Sequence, residues 1–181
     1  MKKILLFSTA AVFFLAACNS SDQATVKGMN TGKESPAEAP AAVSKSQRNR
    51  QTVETMFDNM NKHDVAAMFS AMAPDCMDYG DGSGKPSPLD SVKAGMTNWF
   101  TAFPDFRSDN KQVMADGDWV MVWSDQSGTW KGYLSGQKPT GKAFKAQDVD
   151  IFRLNAEGKV TEHHNIQSFA TLAQQIGFKL K

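Results

Sequence analysis

The sequence has few cysteines, almost no net charge and no apolar run long enough to cross a bilayer. Two cysteines in 181 residues exclude a scaffold held together by several disulfides. Twenty Lys and Arg against nineteen Asp and Glu give a net charge of +1, so no overall positive field draws the chain to nucleic acid. What the sequence does contain is 41% hydrophobic residues, including twelve Phe and four Trp, which is enough to build one globular core.

The N-terminus has the pattern of an export signal. Two lysines follow the initiator methionine, and the apolar run 4–17 is only fourteen residues long, whereas a spanning helix needs roughly 20. This run ends at 15–18 in Leu-Ala-Ala-Cys, which resembles the bacterial lipobox, where the leader is cut before a cysteine that is then acylated. The resemblance implies a lipoprotein signal peptide and lipidation of Cys18, with ordinary secretion as the alternative.

The predicted lipid on Cys18 would place the protein in the bacterial cell envelope, bound to a membrane. Asn19, rather than Asp, follows the cysteine. By resemblance to the sorting rule of enteric bacteria, this implies the outer membrane, with the protein facing the periplasm.

Three regions are predicted along the chain. Residues 1–17 form the signal peptide, and residues 18–46 carry the lipid and a flexible tether. The tether is rich in Ser, Ala and Pro and contains no aromatic residue, so it cannot bury enough surface to offset the entropy of ordering. Residues 47–181 form the folded domain.

Helical spacing is found at the start of this domain and again at its end. The first helix has an apolar stripe, a second begins at Asp64 and is stopped by Pro74, and a third begins with Ser87 as its N-cap. A final helix is capped by Ser168 and ends at Gly177. The apolar stripes of the first three helices are Val53, Met56, Phe57 and Met60; Val65, Met68, Phe69 and Met72; and Val92, Met96, Trp99, Phe100 and Phe103.

Strand-like alternation occupies the stretch between the third and the last helix. Strands are predicted over 106–115, 119–130, 142–154 and 159–167, joined by short turns rich in Gly, Asp and Asn. Helices followed by consecutive strands with short turns indicate an α+β fold with an antiparallel sheet.

A series of short motifs occurs in order between residues 53 and 178. The motifs are Ala-Met-Ala at 71–73 followed by Pro-Asp at 74–75, Phe-Pro-Asp at 103–105, Asp-Gly-Asp at 116–118, Gly-Thr at 128–129, Gly-Tyr-Leu at 132–134, Pro-Thr-Gly-Lys at 139–142, Asp-Ile-Phe-Arg at 150–153 and Gly-Lys-Val-Thr-Glu-His at 158–163. Together they resemble the SnoaL-like polyketide cyclase family, which includes ester cyclase-like proteins. The resemblance implies the nuclear transport factor 2-like fold, a cone in which a curved antiparallel sheet is wrapped by N-terminal helices around a mostly apolar internal cavity.

Side-chain alternation predicts which polar residues meet in that cavity. Asp148 and Asp150 share one face of their strand, and His163 and Asn165 share one face of the next. In cyclases of this family a carboxylate on the last strand removes a C–H proton, and nearby imidazoles polarise carbonyl oxygens. The carboxylate position falls on Asn165, whose carboxamide cannot accept that proton, and only His163 matches a family histidine.

Three functions therefore remain open. The cavity binds a small apolar or aromatic molecule without chemistry; or it belongs to a proton-abstracting enzyme, a cyclase or isomerase; or the protein is a structural or interaction lipoprotein of the envelope. In the enzyme, Asp150 would be the general base, His163 an acid or hydrogen-bond donor, and Asn165 a donor that orients a carbonyl. No cofactor is expected in any of the three.

Several residues are predicted to bind the ligand, and the alternative is that they are ordinary core residues. They are Asp148, Trp99, Trp123, Phe144 and Phe152. A metal site on the acidic residues is not predicted, because no clustered cysteine and no second inward histidine is present.

An apolar face on the far side of the sheet predicts a partner. Val120, Val122, Val149 and Ile151 would form this face, and we expect a homodimer that covers it. Cys76 is expected to be a packed thiol, and His63 a solvated residue between two helices.

Overall fold

The computed structural model describes residues 43–80 and 84–180. The predicted signal peptide, Cys18 and residues 18–42 of the predicted tether lie outside the described residues. No helix in the described part of the chain is long and apolar enough to cross a membrane.

The first helix, α1, spans Lys45–Asn61 and begins inside the predicted tether. Ser44 caps it in a reciprocal arrangement with Gln47, the local signal that fixes its start. All four residues of the predicted stripe, Val53, Met56, Phe57 and Met60, are buried.

The second helix, α2, is shorter than predicted. It spans Val65–Phe69, with the Asp64 side chain accepting a hydrogen bond from the Ala67 amide. Met72 and Pro74 belong instead to a strand, β1 (Met72–Asp78), that the helical spacing concealed. The pairing of β1 with its neighbour is irregular between Met72 and Met77, so the missing N–H of Pro74 costs no regular ladder bond.

The start of the third helix also differs from the prediction. Ser87 and Pro88 form a two-residue strand, β2, paired with the end of β1, and α3 spans Leu89–Ala102. The N-cap position is Pro88, and no side chain caps the helix. Ser87 is therefore not the N-cap, because its backbone is held in the strand pairing.

The remaining elements follow the predicted order. They are β3 (Arg107–Asp116), β4 (Trp119–Thr129), β5 (Ala143–Leu154), β6 (Val160–Asn165) and α4 (Phe169–Ile176). The curved, unclosed sheet has the order β2-β1-β6-β5-β4-β3, and the β1–β6 pair is parallel whereas the others are antiparallel. Strands β3 to β6 follow α3 consecutively as the sequence predicted, although β1 and β2 come before α3, and the mixed α+β fold is confirmed.

The two faces of the sheet differ from the predicted assignment in one respect. Val120 and Val122 are fully buried and lie opposite Phe152 and Asp150 on the inner, helix-covered face. They therefore do not share a face with Val149. The apolar residues of the outer sheet face are Met114, Trp119, Met121, Trp123, Val149, Ile151 and Ile166, and Arg153, Glu162 and His164 lie on the same face.

Candidate functional site

A cavity of about 280 Å³ lies between the helices and the inner face of the sheet. Its wall is mostly apolar and rich in methionine and aromatic side chains. Helix α1 contributes Phe57, α3 contributes Trp99, and β5 contributes Phe152. The other apolar lining residues are Met56, Met60, Met68, Phe69, Met72, Val92, Met96, Phe106 and Phe169.

Polar side chains are concentrated at one end of this cavity, where β1, β6 and β5 lie side by side. The register places Asp150 opposite Asn165, and Asp78 beside His163. Asp148 lies two residues before Asp150 on the same face of β5 and is 2% exposed. All five side chains line the cavity, so three acids converge on one imidazole and one carboxamide.

His163 lies between two carboxylates. Its Nδ1 is 2.9 Å from Asp78 Oδ2, and its Nε2 is 3.0 Å from Asp150 Oδ1. Its ring stacks on Phe152, with 4.8 Å between the ring centres. Both ring nitrogens are thus engaged, and the imidazole cannot turn toward a ligand without giving up one carboxylate.

Asn165 joins the two aspartates of β5. Its Nδ2 lies 2.8 Å from each carboxylate oxygen of Asp148 and 3.2 Å from Asp150 Oδ1. Gln126 of β4 also donates to Asp148 Oδ2, and Gln167 donates to Gln126 Oε1 at 3.1 Å. The amide hydrogens of Asn165 therefore already have acceptors within the site.

The charges of these groups are set by burial and by one another. Burial disfavours the imidazolium of His163, but the hydrogen bonds and negative charges of Asp150 and Asp78 outweigh it and raise the pKa of His163 to about 10. Although burial acts in the opposite direction, the hydrogen bond and charge of His163 keep the pKa of Asp78 below its ordinary value. His163 is thus a cation at neutral pH and donates from both nitrogens.

The pKa of the Asp148 carboxyl, unlike that of Asp78, lies above its ordinary value. Burial and the nearby charge of Asp150 raise the pKa of Asp148 to about 6, despite the hydrogen bond from Asn165. A buried carboxyl with such a pKa exchanges its proton close to neutral pH, which suits it to accept or return a proton.

The structure brings together most, but not all, of the predicted site residues. Asp148, Asp150, His163 and Asn165 meet at the polar end of the cavity, and Trp99 and Phe152 line its wall. Phe144 is buried but is not part of the lining, because it packs into the core against Phe103, with 5.3 Å between the ring centres. Trp123 lies on the outer sheet face with 44% of its surface exposed, because its β4 position alternates away from the cavity.

Sequence reasoning missed two polar residues of the site, Asp78 and Gln126. Asp78 was missed because β1 was not recognised as a strand. Gln126 was missed although it lies on the same inner face of β4 as Ser124 and Val122, which are two and four residues before it. A complete alternation count on β4 would have found Gln126.

Metal binding, Cys76 and His63 are the other points at which the sequence raised possible chemistry. No group of three or more His, Cys, Asp or Glu in ranges 43–80 and 84–180 has an arrangement that could hold a metal ion. Cys76 is buried, and burial together with the charge of Asp78 raises the pKa of its thiol to about 11, so it is a packed thiol. His63 is not a solvated residue, because its ring stacks on Phe100 and its Nε2 lies 3.0 Å from the Phe106 carbonyl oxygen.

Comparison with known proteins places this fold and cavity in a family. The family model described as SnoaL-like polyketide cyclase matches residues 50–176. The chain belongs to the SnoaL-like polyketide cyclase family. Among curated proteins, none matches the sequence.

Solved structures with similar folds include members of this family. AclR, a candidate hydroxylase from Streptomyces galilaeus, is 24% identical with a TM-score of 0.67, covering 76% of this chain and 100% of its own. A SnoaL-like protein from Jannaschia sp. CCS1 is 20% identical with a TM-score of 0.67, and the match covers 80% of this chain and 100% of the Jannaschia chain. IdmH, a candidate polyketide cyclase from Streptomyces antibioticus, is 22% identical, with a TM-score of 0.62 and coverage of 71% and 98%. At these identities the three structures establish the fold of this chain and not its reaction.

Proposed function

We propose that this SnoaL-like protein binds a small, largely apolar or aromatic molecule in its cavity, with one polar group of the ligand at the acidic end. The observation that carries the proposal is the cavity itself. Its volume is about 280 Å³, its wall is mostly apolar, and a few polar side chains converge at one end. Ligand sites are concave, mostly apolar and supplied with a small number of polar groups that fix orientation. A cone filled by its own side chains would favour a structural role in the envelope instead.

A proton-abstracting enzyme of the cyclase or isomerase type is the second candidate. The raised pKa of Asp148 favours it, because a carboxyl with a pKa of about 6 takes up a proton without binding it too tightly to release it. Asp150 is the other carboxylate within reach of a ligand. His163, held as a cation by Asp78 and Asp150, stabilises negative charge that develops nearby, and Asn165 holds the two acids of β5 in place.

The anchoring of the protein is a separate proposal. The Leu-Ala-Ala-Cys pattern at 15–18 supports acylation of Cys18, which would hold the domain on a membrane of the cell envelope. Each buried methylene of an acyl chain adds about 0.8 kcal/mol to membrane binding, so two or more chains make the attachment stable. Asn19 supports the outer membrane, with the cavity presented to the periplasm.

The outer sheet face supports a homodimer. Trp119 and Trp123 are each more than 40% exposed there, beside Met114 and Ile166. A continuous apolar sheet face of this kind marks an interaction surface, and a second copy of the same chain offers a matching one.

Calorimetric titration of the full-length protein with 2-phenylethanol tests the binding function. This neutral, aromatic probe matches the apolar wall and carries one hydroxyl for the polar end. Val92→Trp inserts a large ring from α3 into the cavity, whereas Ala94→Trp adds the same ring at an exposed position of the same helix. We expect binding in the wild type and in Ala94→Trp and none in Val92→Trp. Equal binding by all three proteins would contradict the proposed function, and so would a wild-type protein that binds neither this alcohol nor an amine or a carboxylate of similar size.

A further inference from the structure

We propose that the natural ligand is a small apolar amine, bound as its ammonium ion with the charged nitrogen between Asp148 and Asp150. This inference rests on the proposed binding function and adds the chemical class of the ligand. Three observations on the described residues carry it: the balance of charge around the cavity, the Asp150 oxygen that His163 and Asn165 do not use, and the aromatic wall.

The polar end of the cavity holds more negative than positive groups. Among the described residues that line it, Asp78, Asp148 and Asp150 are acidic, and His163 is the one basic residue. His163 contacts Asp78 and Asp150, so both of these carboxylates have a cationic partner. Asp148 has none within hydrogen-bond distance, and receives only the neutral amide donors of Asn165 and Gln126. A ligand that carries a positive charge would supply the missing partner.

The second oxygen of Asp150 can accept a donor from the ligand. His163 and Asn165 both bind Oδ1 of this carboxylate and leave Oδ2 unused. The Asp150 side chain is only 10% exposed and lines the cavity. A carboxylate accepts hydrogen bonds at both oxygens, so we assign Oδ2 as the acceptor for a donor on the ligand.

A single ammonium group can reach both acids. The Asn165 Nδ2 bridges the two carboxylates, at 2.8 Å from the Asp148 oxygens and 3.2 Å from Asp150 Oδ1, so an ammonium placed beside this carboxamide faces both negative charges. An ammonium has several N–H donors and carries the charge that the Asn165 carboxamide lacks.

The rest of the cavity suits the apolar body of such an amine. Trp99, Phe57 and Phe106 provide aromatic surface, and a cation near an aromatic face gains a further electrostatic attraction. An anion of the same size would meet three carboxylates against one imidazolium, and a neutral molecule would leave the charge of Asp148 unpaired. The predicted order of affinity is therefore amine, alcohol, carboxylate.

Three probes of similar size and different charge test this order on the full-length protein at pH 7.5. They are 2-phenylethylamine, 2-phenylethanol and 3-phenylpropanoate. We expect the amine to bind about tenfold or more tightly than the alcohol, and the carboxylate to bind more weakly than either. In Asp148→Asn, which preserves shape and removes the charge, the preference for the amine should fall to within about twofold. Asp75→Asn makes the same change at an exposed position of β1 and should leave the preference unchanged.

Proton release provides an independent readout. An ammonium beside Asp148 favours the ionised carboxylate, so amine binding at pH 6 should release about half a proton per ligand. Titration in buffers of different ionisation enthalpy measures this number, and we expect no release with the alcohol or in Asp148→Asn.

The outcomes separate this inference from the proposed function. Equal binding of amine and alcohol, or a preference that survives in Asp148→Asn, would overturn the amine assignment and leave the binding function standing. Failure of all three probes to bind would overturn both.

Discussion

The Asn165 side chain donates to both carboxylate oxygens of Asp148, with its Nδ2 2.8 Å from each. In the SnoaL-like cyclases that the sequence resembles, the Asn165 position carries the acid that removes a proton. Here the carboxamide serves the acids of the neighbouring strand instead. The acids that contact Asn165 lie on β5, where Asp148 and Asp150 share one face and line the cavity.

Replacing Asn165 with leucine tests whether its hydrogen bonds to Asp148 stabilise the fold. Asn165→Leu removes the donors from a carboxylate that is 2% exposed, which leaves buried oxygens poorly satisfied. We expect a loss of about 1–3 kcal/mol of unfolding free energy at pH 7 and a pKa of Asp148 higher than in the wild type. Chemical denaturation and carboxyl-carbon NMR titration measure the two effects. Asn98→Leu, at an exposed site on α3, serves as the control, and an equal loss there would argue against the assigned role.

His163 should make stability fall at alkaline pH. Its folded-state pKa of about 10 lies above its ordinary value of 6.5, so its stabilisation is complete below about pH 6.5 and is lost as the pH rises through 10. His163→Gln should lose about 3–5 kcal/mol at pH 7, because two buried carboxylates lose their cation. The gap between the variant and the wild type should narrow between pH 7 and 10.

The neighbouring histidine gives a matched control for that experiment. His164 is next to His163 in sequence but lies on the opposite face of β6, stacked on Tyr79. His164→Gln should leave the alkaline part of the stability curve unchanged. If the free energies of unfolding of His163→Gln and the wild type differ by a constant amount from pH 7 to 10, then His163 is not held as a cation.

The Asp148 carboxyl should lower the free energy of unfolding as the pH rises from about 4 to 6. Its folded-state pKa of about 6 lies above the ordinary value of 3.8, so the folded state binds a proton more readily than the unfolded state. This contribution favours folding below about pH 4 and is lost as the pH rises through 6. Asp148→Asn should therefore gain stability relative to the wild type over that interval, by at most about 3 kcal/mol. Denaturation curves between pH 4 and 7 measure this gain, and a constant difference across the range would show that the carboxyl is not perturbed.

The homodimer can be tested through Trp123. A charge placed on the outer sheet face, as in Trp123→Arg, should halve the mass of the full-length protein measured by light scattering in detergent solution. Tyr133→Arg, at another exposed aromatic residue outside the sheet, should keep the wild-type mass. A monomeric wild-type mass would be evidence against the dimer.

The lipid anchor can be tested through the two cysteines. Cys18→Ala should release the protein from the membrane fraction, whereas Cys76→Ala should stay bound, because Cys76 is packed inside the domain. Retention of Cys18→Ala in the membrane would rule out Cys18 as the anchor.

The sequence predicted the helices and the four consecutive strands β3 to β6, because their apolar periodicities are clear and their turns carry strong signals. It could not predict β1, because Met72 continues the helical spacing of α2 and Pro74 argues against a strand. That error concealed Asp78, and with it the second carboxylate on His163. Side-chain alternation correctly brought Asp148, Asp150, His163 and Asn165 together.

Alternation alone could not say which side of a strand is covered. Trp123 and Phe144 are both large and aromatic, yet the first lies on the outer sheet face and the second in the core beside the cavity. The burial of each depends on where the helices pack, which is a property of the whole fold. For the same reason, Asp78, the second carboxylate that raises the pKa of His163, could not be predicted from β5 and β6 alone.

Native mass spectrometry of the full-length protein taken from its own membrane tests the central claim most directly. The cavity account predicts that wild-type protein and Ala94→Trp carry a bound small molecule and that Val92→Trp, whose cavity is filled, carries none. A molecule retained equally by Val92→Trp, or a wild-type protein that carries nothing and takes up no added 2-phenylethanol, would contradict it.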